Sequence, residues 1–144
     1  MHYLTVQDVL WIHLQIAKKT VKFNYAKLEE AVSYQYAYGK SKDVLSQASR
    51  FFVGFPAMKP FECGNDAAAL VAGLTFLISN GFHPKSGEKD LAGWFERASN
   101  RSDSKAAIES MAKRCEHDHH ATMREIATEV METYASTVKK LLAD

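Results

Sequence analysis

Apolar positions recur at helical spacing along most of this chain. Val9, Leu10, Ile12, Leu14, Ile16 and Ala17 form a wide apolar face behind Thr5, whose hydroxyl predicts an N-cap, with Asp8 in the first turn. Asn24 predicts the cap of a second helix, "YAKLEEAV", with Leu28, Ala31 and Val32 inward. A third helix starts at Ser41 or Asp43 and places Val44, Leu45, Ala48, Phe51 and Phe52 inward. Pro56 and Pro60 bracket a break. "DAAALVAGLTFLISNG" then follows, apolar nearly all round, which predicts a buried central helix over 66–80. Asp66 is its expected N-cap, and Asn80–Gly81 its stop. Further helices are expected at 88–98, with Leu91, Trp94 and Phe95 inward, and at 103–115. A last one runs over about 119–142, with Met123, Ile126, Val130, Met131, Tyr134, Val138 and Leu141 on one face.

One stretch interrupts this rhythm. Tyr34, Tyr36 and Tyr38 alternate with smaller or polar residues ahead of Gly39. Period-two spacing suits a strand, which predicts a small β-hairpin flap near 34–42 that pairs with a partner peptide. The competing reading is a helix end running into a loop, its tyrosines packed on the core. Either way the fold class is all-α, one domain over 1–144 around the central helix.

Composition narrows the function classes. The 144 residues carry a formal net charge of +1, so no global field recruits nucleic acid or an anionic membrane. The basic runs "AKKTVK" and "VKKLLAD" lack the interleaved aromatics of a single-strand binder. Two cysteines, Cys63 and Cys115, make no disulfide framework. Gln7, Asp8, His13 and Gln15 break up the N-terminal apolar run, so neither a secretory signal nor a membrane span is read, and a cytoplasmic location is expected.

The chemistry-bearing stretch is "KPFECGNDAAAL" at 59–70. Together with "LTVQDVLWIHLQI", "YAKLEEAV" and "ASRFFVGFPAMKPFECGNDAAALVAGLTFLISNG", it resembles the Fic proteins, most closely their small Doc (death-on-curing) branch, over roughly residues 3–100. Pro60, Phe61, Gly64, Asn65 and Leu70 carry the likeness. The resemblance implies a helical bundle around the central helix. It also implies transfer of AMP or phosphate from a nucleotide to a protein hydroxyl. In that family a motif histidine is the base, an acid binds magnesium, and basic residues at the helix start hold phosphate.

This sequence departs from the pattern at each charged position. Lys59 stands for the histidine, and a lysine stays protonated unless burial or a nearby cation depresses its pKa. Cys63 stands for the acid, although magnesium wants hard oxygen ligands. Glu62 offers a carboxylate one residue out of step. Asp66 and Ala67 stand where the family has its Gly or Lys and its Arg, so a carboxylate would meet the donors that a phosphate would take.

The expectation is therefore a Doc-like pseudoenzyme with no intact catalytic residue and no cofactor. It would bind a protein or peptide, an antitoxin-like segment by family resemblance, through Tyr34, Tyr36 and Tyr38. The alternative is a divergent phosphoryl or nucleotidyl transferase in which Lys59 contacts phosphate and Glu62 replaces the metal acid. A homo-oligomer built on the apolar face after 119 is the third reading. "CEHDHH" at 115–120 places Cys115 with His119 and Glu116 with His120 at helical spacing, but no second ligand cluster accompanies it, so no metal site is assigned. His2, His13 and His83 read as surface or satisfied polar groups.

Overall fold

The computed structural model describes residues 1–37, 42–85, 88–115 and 121–143. It is mostly helical, as the pattern predicts, with one small two-stranded antiparallel sheet among the described residues. Helix α1 (Val6–Ala17) opens on a capping box: Thr5 Oγ1 accepts from the Asp8 N–H at 3.1 Å, and the Asp8 carboxylate accepts from the Thr5 N–H at 2.9 Å. Helix α2 (Tyr25–Ser33) is capped by Asn24, whose Oδ1 accepts from the Lys27 N–H at 3.0 Å. Helix α3 (Val44–Met58) has Asp43 at its N-cap and Pro56 in its final turn, and ends at Lys59 with φ 48°.

Helix α4 (Asn65–Ser79) is the central one. Every residue from Ala67 to Leu77 is buried, and α1, α3 and the two C-terminal helices pack around it. Its cap is Gly64 rather than the expected Asp66. The chain turns into the helix with φ 79° at Gly64, a left-handed conformation that glycine adopts freely. The helix is thus already under way at Asn65, and Asp66 lies inside its first turn, where the helix dipole favours a carboxylate. Gly73 lets α3 approach closely: a Cβ there would stand 2.2 Å from Phe52 Cζ. Phe52 in turn meets Trp94 edge to face at 5.3 Å.

Three expected boundaries move for tertiary reasons. Tyr34 to Tyr36 do not form a strand. Their N–H groups donate to Ala31, Val32 and Ser33 three residues back, so α2 runs on into a tight turn. Gln35 points into the core, fully buried. This is the helix-end reading of the tyrosine stretch; Tyr38 and the rest of the stretch to Ser41 lie outside the described residues.

The sheet lies elsewhere. β1 (Phe82–Pro84) pairs with β2 (Ala112–Arg114), His83 opposite Lys113. α5 (Leu91–Ala98) follows β1 after a 3₁₀ turn and buries Leu91, Trp94 and Phe95 as expected. α6 (Ser104–Met111) ends four residues earlier than predicted because β1 captures its continuation.

The predicted last helix is two. α7 (Met123–Thr133) starts from a Thr122–Glu125 capping box, and α8 (Ala135–Leu142) follows a break at Tyr134. The face proposed for self-association is largely spent on the core, because Ile126, Val130, Val138 and Leu141 are buried within the chain. Cys115 follows β2 rather than a helix; residues 116–120, and with them the rest of "CEHDHH", lie outside the described residues. No helix among the described residues is long and apolar enough to cross a membrane.

Candidate functional site

The loop between α3 and α4 carries the motif positions. Its middle is tied to the segment joining α1 and α2. The Asn24 N–H donates to the Pro60 carbonyl at 2.8 Å, and the Glu62 N–H to the Lys22 carbonyl at 2.9 Å, on either side of a bridge between Phe23 and Phe61. Asn65 closes the loop from its other end. Its Oδ1 accepts from the Phe61 N–H at 2.9 Å, and its Nδ2 donates to the Phe61 carbonyl at 2.8 Å. The side-chain amide thereby completes both hydrogen bonds of one peptide position, as a neighbouring strand would.

Beneath the loop sits His13, which the sequence places among surface or satisfied polar groups and the structure makes a satisfied, buried one. It is buried, and its ring lies against Phe61. Nε2–H donates to the Cys63 carbonyl at 2.8 Å. Burial pushes the imidazole pKa below its ordinary 6.5, with the bond to the Cys63 carbonyl opposing the shift. Gly64 is packed against the same ring: a Cβ at Gly64 would lie 3.0 Å from His13 Nε2 and 3.1 Å from Leu142 Cδ1. Position 13 falls one turn after Val9 on the buried face of α1, and that spacing is the signal that could have placed it inside.

The remaining motif residues divide by exposure. Phe61 and Ala67 are buried and structural. Lys59, Glu62 and Cys63 are exposed; the Cys63 carbonyl, not its thiol, is what the fold holds. Asp66 is half-buried in the first turn of α4. The loop keeps a left-handed glycine followed by asparagine and a buried helix. It brings to that helix start an acid and an alanine where phosphate binding calls for cations.

The tyrosines flank a different feature. Tyr36 is 44% exposed and meets Tyr3 edge-on at 4.8 Å, while its carbonyl accepts from Arg50 Nη2 at 2.7 Å. Tyr34 is half-buried and lies against Gly54 of α3. A cleft opens beside it along α3, and Met58, which lines its far end, directly precedes Lys59.

No family model, curated protein or solved structure matches the chain.

Proposed function

We propose that this chain is a Doc-like protein-binding module that transfers neither AMP nor phosphate. The observation that carries the reading is the state of the 59–66 loop. It retains a turn suited to an anion, yet its charged positions hold Asp66 at the helix start, with Lys59 and Glu62 turned to solvent. The nearby imidazole does not stand in for the missing base. His13 is buried under Phe61, and Nε2 is committed as a donor to the Cys63 carbonyl. A general base needs an accepting nitrogen within reach of the substrate hydroxyl. The exposed Tyr36, with Tyr34 beside it and Tyr38 next along the chain, supplies aromatic contact area for a protein or peptide partner.

A thermal-shift series with ATP, GTP, CTP and UTP, each with magnesium, tests the silent site. A ligand bound only by the folded chain raises its melting temperature with the logarithm of saturation. No shift at millimolar nucleotide is expected. A magnesium-dependent rise would instead favour the divergent transferase with Lys59 on phosphate and Glu62 on the metal. The partner arm uses Tyr36→Ser with Tyr38→Ser. The double variant should fold and lose any protein that co-purifies with the parent. Retention of that protein would move the interface elsewhere.

A further inference from the structure

The cleft along α3 has a composition of its own. About 480 Å³ of space lies between the end of α2, the outer side of α3 and the α5–α6 turn, within the roughly 300–1,000 Å³ typical of small-ligand sites. One wall is apolar, from Val53 and Met58, with the Tyr34 ring packed against Gly54. That ring sits so close that any side chain at position 54 would come within 2.4 Å of it, so the glycine is what lets the tyrosine line the cleft. The polar side holds two guanidinium residues, Arg50 and Arg101, with no carboxylate among the described lining residues. Arg50 is anchored to the wall by its bond to the Tyr36 carbonyl. Arg101 is exposed in the turn ahead of α6 and makes no ion pair or hydrogen bond with another described residue, whereas Lys105 and Arg124 are paired with acids.

We propose that this cleft binds a small organic acid, its carboxylate held between Arg50 and Arg101 and its flat apolar body against Tyr34, Val53 and Met58. A guanidinium offers planar paired donors that match a carboxylate, and an aromatic ring beside it receives an apolar body. The wall is mid-helix, where backbone N–H groups are already used within α3. Along α3 a dianionic phosphate would therefore find no backbone donors, and the singly charged carboxylate is the better fit. The inference does not depend on whether the 59–66 loop is catalytically silent.

Titration of the ¹⁵N-labelled full chain with 3-phenylpropionate, followed by amide chemical shifts, tests it. The resonances of Gly54 and Arg101 should move saturably at low millimolar probe. The neutral amide, 3-phenylpropanamide, should leave them in place. Arg101→Ala should keep the spectrum of the folded chain and weaken binding about fivefold, the scale of a partly exposed ion pair. Arg97→Ala, at an exposed arginine outside the cleft, should bind as the parent does. The proposal is overturned by equal binding of the amide, by unchanged affinity in Arg101→Ala, by shifts centred on Arg97 and Lys140 instead, or by no saturable shift up to about 10 mM probe.

Discussion

The imidazole of His13 lies nearly parallel to the ring of Phe61, centroids 3.8 Å apart and planes 11° from each other. The pair joins α1 to the motif loop across a gap of almost fifty positions in the chain. It also gives the loop a pH dependence. The folded chain holds His13 neutral, with a pKa below 6.5, whereas the unfolded chain takes up a proton near 6.5. As pH falls through that value the unfolded state gains protons first, so this contribution to stability is present above about 6.5 and is lost progressively down to the folded pKa. Urea midpoints at descending pH should fall over this window, and His13→Gln should remove that part of the slope. An unchanged slope in the variant would assign the dependence to other groups.

Asn65 should prove more important to the loop than any of its charged residues. Both of its amide atoms serve Phe61, whose side chain is buried. Asn65→Ala should cost about 1–3 kcal/mol, the penalty for leaving partly buried backbone groups unsatisfied. Asn65→Asp keeps the acceptor for the Phe61 N–H but places a carboxylate oxygen opposite its carbonyl, so it should also be destabilising. Chemical denaturation checks both. Stability equal to the parent in Asn65→Ala would mean that water replaces the amide without loss.

The contact between Phe52 and Gly73 sets how closely α3 can lie on α4. Gly73→Ala improves intrinsic helix propensity, yet the added methyl enters the space of a fully buried ring. The expected net effect is a loss of about 1–3 kcal/mol through overpacking. Phe52→Leu is costly alone because it leaves a cavity, but in the Gly73→Ala background it should recover part of the loss. A double-mutant cycle reads that coupling directly. Simple additivity would show that the helices move apart instead.

What the sequence made legible was local. Thr5 with Asp8 and Asn24 with Lys27 cap their helices through bonds spanning three residues, and the apolar run after Asp66 sits where its pattern demands. What it hid depends on distant partners. Alternating tyrosines suggest a strand until Gln35 is seen to bond both backbone groups of Leu4, drawing the segment inward as a turn. Ala112–Arg114 has no strand signature; it is extended because Phe82–Pro84 lies beside it. His13 is visible as a member of an apolar face, but its acceptor, the Cys63 carbonyl, is found only once the loop is folded. Arg101 joins Tyr34 and Arg50 through the packing of α6 on α3, which no single helix encodes.

Because α4 is apolar on all sides, it has no face with which to wait in water. Its coverings are α1 and α3, made before it, and α7 and α8, made well after it. A ribosome translating this chain would therefore release an oily rod well before the α7–α8 segment that completes its cover. Throughout that interval the nascent chain would offer the kind of surface on which chaperones act. Removing α8 should then be felt less as the loss of one small helix than as a failure to finish the core, with aggregation at the bench and degradation in the cell as its signs.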